Sequence, residues 1–168
     1  EYLIKLQNDE NYNIIFQKKN MGKGNSIKKG LNISKGELII FQDADLEYNP
    51  NNYKNLIQKL LIDNLDAVYG SRVISNKKNY HIYKLNEFVV ILFTKIINFF
   101  FQTQFTDAAT NYKLIKTEIL KKMILVSNSF AIDFEITIKL GILNCRIAEI
   151  PIDYFPRKYE DGKKIRFS

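Results

Sequence analysis

The apolar positions of this chain switch repeatedly between short runs and helical spacing. Residues 13–17 (NIIFQ) read as a short strand. Residues 20–36 begin with a glycine loop and continue as a helix, with Ile27, Leu31 and Ile33 facing inward and Gly36 as its stop. Residues 37–42 (ELIIFQ) form a strand apolar on both faces, the mark of a sheet covered by helices. Asn49 and Pro50 make an N-cap and first-turn pair. Behind them Tyr53, Leu56, Ile57, Leu60 and Leu61 recur at helical spacing, and residues 66–72 (DAVYGSR) form a strand that empties into a basic loop.

The most apolar stretch is residues 86–101 (NEFVVILFTKIINFFF). At 3.6 residues per turn, Glu87, Thr94 and Asn98 fall on one narrow polar stripe. The stretch is shorter than the roughly 20 residues a bilayer crossing needs. It reads either as a core or subunit-interface helix or as a helix lying at a membrane surface. A polar loop and a strand follow in residues 105–116, with Thr117 as an N-cap. Residues 133–141 (DFEITIKLG) read as a helix closed by Gly141, and residues 145–155 as a strand pair broken at Pro151. There are no repeats and no low-complexity linker.

The β–α–β–α–β order predicts an α/β fold with a mostly parallel sheet. Ligands of such sheets bind at the carboxyl ends of the strands, which puts Asp43, Asp45, Gly70, Ser71 and Arg72 along one rim. The 168 residues suffice for one domain with a real core. A composition of 46% hydrophobic and 26% charged residues is ordinary for a globular protein. One cysteine excludes an internal disulfide and fits a reducing compartment; Cys145 reads as a small core residue. No Cys/His cluster exists to hold zinc. The net charge of +7 favours an anionic partner: a nucleotide, a phospholipid surface or nucleic acid. The chain does not begin with Met and its last residues carry no helix stop, so both ends read as cuts from a longer protein.

Residues 39–50 (IIFQDADLEYNP) drive a strand straight into carboxylates. Asp43 and Asp45, two apart at the strand end, can bind a hard divalent cation that offsets their repulsion. The alternative is a solvated acidic loop that caps the next helix. In "NMGKG", Gly22 and Gly24 would let backbone approach a ligand at a helix N-terminus, and Lys23 adds a point charge. This is not a P-loop, since no Gly-Lys-Ser/Thr follows. Arg72 at the rim could pair with phosphate. Arg157, Lys158, Lys163 and Lys164 surround a glycine turn, and an exposed basic tail is the plain alternative.

In order and spacing, the stretches "NMGKG", "FQDADLEYNP", "AVYGSR", "FTDAATNYK", "FEITIK", "IAEIPIDY" and "RKYEDGKKI" resemble the dolichyl- and polyprenyl-phosphate hexosyltransferases of glycosyltransferase family two. The likeness runs from about Asn13 onward. It implies the Rossmann-like GT-A fold of nucleotide-diphospho-sugar transferases, as one catalytic domain over residues 1–168 whose first, nucleotide-binding strands are missing. It assigns Asp43 and Asp45 to a Mg²⁺ or Mn²⁺ site, with Glu47 completing the shell. Gly22, Lys23 and Gly24 would face the donor nucleotide, Arg72 a donor or acceptor phosphate, and Arg157 and Lys163 would belong to a late segment closing over the site. Asp107 matches an acidic position near the sugar, and Glu135 one in the late helix. The implied reaction inverts the anomeric centre: a hexose leaves GDP-mannose or UDP-glucose for a polyprenyl or dolichyl phosphate at the cytosolic face of a membrane, with the protein bound peripherally. A lipid phosphate needs no strong base; a sugar hydroxyl would, with Asp107 as the candidate.

There are departures from the family. Nothing before residue 13 matches its "DDGS"-like segment, Asn111 stands where relatives carry a small residue or Cys, and no C-terminal membrane helix appears. A related transferase acting on a cell-surface glycan hydroxyl is the nearest alternative, and an inactive copy is another. A basic nucleic-acid-binding domain is the alternative of another class. No aromatic–basic stacking motif supports it, so nucleic acid is not an expected partner.

Overall fold

The structure is a computed structural model that describes residues 2–6, 9–74 and 84–157. A short helix, α1 (Tyr2–Leu6), precedes α2 (Lys23–Ile33) and β1 (Leu38–Ile40). A 3-10 turn at Pro50–Asn52 leads into α3 (Tyr53–Ile62), then β2 (Ala67–Ser71), α4 (Lys84–Phe101), β3 (Lys113–Lys116), α5 (Thr117–Lys121), α6 (Ile132–Ile142) and β4 (Ile147–Pro151).

The four strands form one sheet in the order β1-β3-β2-β4. β2 and β4 are parallel, pairing Ala67 with Ile147. β3 is antiparallel to both β1 and β2, so three strands run one way and the reversed β3 lies between two of them. Among the described residues, the expected parallel neighbours therefore occur only at β2 and β4. The reversal follows from where the preceding loop lies. Residues 105–112 sit at the carboxyl end of β2, where Gly70 N–H donates to the Tyr112 carbonyl at 2.8 Å, so the chain re-enters the sheet from the rim and must run backwards.

Side chains alternate along β2, and helices cover both faces. Ala67 and Tyr69 join Ile115, Leu120, Ile97 and the α6 residues Ile132, Ile136 and Leu140, with Ile27 and Leu31 of α2 packed against them. Val68 joins Leu114, Tyr112, Ile152 and the α3 residues Leu56 and Leu60 on the other side. Burying each such leucine is worth about 1.5–3 kcal/mol.

Several boundaries shift from expectation for identifiable reasons. Residues 13–17 form no strand. Gln17 is tied to Ser26 (2.7 Å) and Lys29 (3.3 Å) of α2, so the run lies along that helix and leaves Phe16 exposed. α2 ends at Ile33, where Ser34 N–H and Oγ–H bond the Gly30 and Leu31 carbonyls, ahead of Gly36. Asn49 caps as expected, accepting from Asn51 N–H at 3.0 Å, though the turn it starts is 3-10. Leu61 and Ile57 of α3 are exposed, leaving Leu56 and Leu60 as its buried stripe. Gly141 does not close α6, which runs one residue further. A β-carbon there would lie 2.7 Å from the Phe101 ring, so the glycine admits that ring of α4 against the helix.

α4 is amphipathic the wrong way round for a surface helix. Its polar stripe faces the protein: buried Thr94 accepts from Ala108 N–H, and Asn98 bonds Phe105 N–H and C=O and the Thr103 hydroxyl at 2.8–2.9 Å. Ile97 reaches the core, but Phe88, Leu92, Phe99 and Phe100 are exposed, the last two at 80% and 72%. The outward arc covers roughly 200° of the helix at 3.6 residues per turn. Among the described residues, no helix is long and apolar enough to cross a membrane.

Candidate active site

β1 delivers the acidic loop to the rim at its carboxyl end, with β3 between it and β2. Leu46, at the bend between Asp45 and Glu47, takes a left-handed backbone conformation (φ 62°). Residues other than glycine adopt that conformation uncommonly. Each carboxylate of the loop has a cationic or hydrogen-bonding partner. Lys23 Nζ lies 3.4 Å from Asp43 and 3.0 Å from Asp133 on α6. Arg157 Nη2 lies 3.0 Å from Asp45. Burial raises the Asp43 pKa; Lys23 pulls it back, and Asp45 adds to the rise, so the two aspartates stand close enough to repel.

Glu47 is spent on a different task from the one expected. Its Oε1 accepts from Arg157 N–H (2.9 Å) and its Oε2 from the Tyr154 hydroxyl (2.7 Å), while its carbonyl accepts from Phe155 N–H (2.9 Å). It staples residues 154–157 across the acidic loop. Among the described residues, no three His, Cys, Asp or Glu side chains stand together to hold a metal. Asp43 and Asp45 still fit a hard divalent ion as a two-carboxylate seat of the correct chemistry, with their repulsion as the fitting feature and further oxygens left to a ligand.

The glycine loop also works differently from expectation. A β-carbon on Gly22 (φ 86°) or Gly24 would fall 2.1 Å or 2.3 Å from the carbonyl oxygens of Asn128 and Ser127. Both glycines thus admit the protein's own backbone, and Gly24 N–H donates to the Asn128 carbonyl. Glu135 backs that segment by accepting from Val126 and Ser127 N–H, each at 2.8 Å. The result is a fixed base for Lys23, the first residue of α2.

Arg72 follows β2 directly and forms a two-pronged pair with Asp107: Nε to Oδ2 at 2.6 Å and Nη2 to Oδ1 at 2.7 Å, with its backbone N–H adding a third bond. Asp107 is fully buried. Burial alone would raise its pKa, but the Arg72 charge and hydrogen bonds hold it below the ordinary carboxylate range. With both oxygens engaged and no access, Asp107 is not placed as a general base; it orients Arg72. Glu149 of β4 fixes the loop by accepting from Thr106 N–H and Oγ–H and from Asp107 N–H at 2.6–3.0 Å. The Arg72 guanidinium also sits 5.3 Å from the Tyr154 ring, a cation–π contact beside the Tyr48–Tyr112 stack.

Two residues of the centre escaped the sequence reading, Asp133 and Lys113. Asp133 lay in a stretch noticed for its Glu135. Lys113 is fully buried below the rim, donating to the Thr110 carbonyl with its ammonium 4.9 Å from the Tyr69 ring. Burial lowers its pKa to about 8 despite the nearby charges of Asp133 and Asp107. Asn111 is buried with neither side-chain amide atom hydrogen-bonded. Lys158, Lys163 and Lys164 lie outside the described residues. Two cavities, of about 450 Å³ beside α2 and about 350 Å³ between Ile74 and Glu149, are lined by none of Asp43, Asp45 or Arg72.

Residues 1–124 match the profile of glycosyl transferase family 2. The chain belongs to that family. This family-two glycosyltransferase is 29% identical over 161 residues to an uncharacterized protein of Methanocaldococcus jannaschii, a match covering 90% of this chain and 66% of the other. It is 26% identical over 166 residues to a dolichyl-phosphate beta-glucosyltransferase of Dictyostelium discoideum, covering 90% of this chain and 48% of that one. Among solved structures it resembles glucosyl-3-phosphoglycerate synthase of Mycobacterium tuberculosis, with a TM-score of 0.59 and 13% identity over 94% of this chain and 54% of that one. The fold is thus the expected GT-A fold, and the chain spans about half to two thirds of the length of these proteins.

Two outcomes follow from the buried charges. Asp107→Asn removes the charge of a two-pronged buried pair and should cost about 3 kcal/mol in chemical denaturation. Because the folded Asp107 pKa is depressed, its contribution is present at neutral pH and lost as pH falls through the acid range; the variant should lack that part of the acid loss. Lys113 acts in the same direction at the alkaline end of the scale. Its folded pKa near 8 lies below the ordinary 10.5, so the unfolded chain holds the proton longer and stability should rise between pH 8 and 10.5. Lys113→Met should flatten that rise in Tm measured across the same pH range.

Proposed function

We propose that this family-two glycosyltransferase moves mannose or glucose, with inversion, from GDP-mannose or UDP-glucose to the phosphate of a polyprenyl or dolichyl lipid. The observation that carries the reading is the charge arrangement at the rim, where Asp43 and Asp45 pair with Lys23 and Arg157 beyond β1, and Arg72 pairs with Asp107 beyond the carboxyl end of β2. Asp43 and Asp45 would hold Mg²⁺ or Mn²⁺ together with oxygens of the donor diphosphate. When bound, such an ion supplies positive charge against the negative charge that grows on the departing nucleotide.

The rest of the chemistry falls to the chain's own residues. Lys23 and Arg157 would meet diphosphate oxygens. Arg72, aimed by Asp107, fixes a positive charge beside the acidic loop. The state of Asp107 supports a phosphate acceptor. A lipid phosphate is already an anion at neutral pH, so a carboxylate withdrawn into an ion pair is no handicap. Similarity to the Dictyostelium dolichyl-phosphate beta-glucosyltransferase points the same way. The hydroxyl-acceptor reading keeps one support: Asp133 Oδ1 is buried and has no hydrogen-bond partner, which leaves an oxygen able to take a proton.

A lipid acceptor also gives the outward face of α4 an occupant. Lys95 is exposed on it amid Phe88, Leu92, Ile96 and Phe99, and among the described residues no carboxylate shares the arc. That charge pattern suits anionic headgroups. The helix would lie in the interface at the membrane's cytosolic side and hold the rim near its lipid substrate.

Incubating the full-length protein with labelled GDP-mannose or UDP-glucose and a short polyprenyl phosphate should move label into the organic phase. Label that reaches only water-soluble glycan, or no product from either donor, overturns the acceptor assignment. Asp45→Ala should weaken Mn²⁺-dependent donor binding at least tenfold with Tm little changed; undiminished binding removes the metal role. Replacing Phe99 and Phe100 together by Ser should reduce co-sedimentation with phosphatidylserine-containing vesicles several-fold. Unchanged sedimentation would refute the membrane face, and a loss of dimer instead would assign it to a second copy.

A further inference from the structure

Lys23 is shared unequally between its two carboxylates. Its Nζ is 3.0 Å from Asp133 Oδ2 and 3.4 Å from Asp43 Oδ2. The nearer partner is the inner one: the Asp133 side chain is 9% exposed, that of Asp43 39%. Asp133 Oδ1 is buried with no hydrogen-bond partner, although an ammonium has three protons to give and here supplies one to each aspartate. The root of the lysine is fixed, because Gly22 and Gly24 pack on the 127–128 backbone, so the side chain alone can shift. A shift of the ammonium inward satisfies the idle oxygen and frees the outer one.

Resting on the divalent-ion reading above, we infer that Lys23 is a movable counter-ion that competes with the metal for Asp43, and that Asp133 is the carboxylate that receives it when Asp43 is released. Without donor, Lys23 neutralises Asp43 and its like charge disfavours a divalent ion a few ångströms away. A nucleoside diphosphate adds negative charge, restores the attraction for the ion, and Lys23 withdraws onto Asp133. Metal uptake is thereby coupled to donor arrival, with Lys23 and Asp133 as positioning residues. A static structural salt bridge predicts otherwise, since breaking one loosens a site and does not improve it.

The test is Mn²⁺ affinity of the full-length protein, read from the free-ion electron paramagnetic resonance signal with and without GDP or UDP. Without nucleotide, Lys23→Met should bind Mn²⁺ at least tenfold more tightly than wild type, and Lys23→Arg should stay near wild type. Asp133→Asn should bind it several-fold more weakly, and should lose clearly less in the Lys23→Met background, where only its direct charge on the site is removed. Nucleotide should bring wild type to within a few-fold of Lys23→Met. Equal or weaker binding by a folded Lys23→Met overturns the counter-ion role; should that variant not fold, Asp133→Asn binding as tightly as wild type overturns it equally. Mn²⁺ bound by no form, even with nucleotide present, overturns the metal reading itself, whereas binding indifferent to Lys23 and Asp133 overturns only this one.

Discussion

Repulsion among carboxylates at the end of one strand is the constraint around which the rim is built. Asp43, Asp45, Glu47 and Asp133 gather there, and desolvation makes each charge costlier than it would be in water. The chain answers with cations from distant places in the sequence: Lys23 from the start of α2 and Arg157 from beyond β4. Those ion pairs bring together a helix start, a strand end, a late helix and a late strap, which the sheet alone would leave apart.

Around that centre the polar groups hold loops in place more than they wait for ligands. Glu47 staples the strap, Glu149 anchors the 105–107 loop, Glu135 backs the glycine loop, and Asp107 aims Arg72. Each accepts two or more hydrogen bonds, several of them from backbone N–H groups that would otherwise be unsatisfied. Such supporting carboxylates fix the few side chains that face the rim, which is how one domain can present a precise charge pattern on loops.

The sequence made the architecture largely legible because local periodicity governs it. α2, α3, α6 and the strands β1, β2 and β4 fell where apolar spacing placed them. The antiparallel β3 was not legible, since "YKLIK" has the same composition in either direction and only the path of the 105–112 loop decides. Residues 13–17 misled for a related reason: a β-prone run is a strand only where a neighbour offers backbone to pair. At the site, Asp43, Asp45, Lys23, Arg72 and Arg157 were visible as charges at element ends. Their pairing was not, because contacts spanning 110 residues leave no local trace, as between Lys23 and Asp133. Glu47 and Asp107 were assigned roles from the family resemblance, and a motif does not show whether a carboxylate's oxygens are engaged by hydrogen bonds, as both residues' are.

α4 joins the two halves of the reading. A helix with buried Thr94 and inward-facing Asn98 and exposed Phe99 and Phe100 forgoes the hydrophobic gain of burying its larger side chains. What the inward stripe secures instead is the loop that carries Asp107, through Thr94 to Ala108 and Asn98 to Phe105. The helix therefore fixes the Asp107–Arg72 pair with its polar side and leaves its apolar side outward. Any surface that takes up that apolar side is thereby held at a set distance from the rim. For an acceptor whose phosphate sits at a lipid interface, that connection would make docking and acceptor placement a single event.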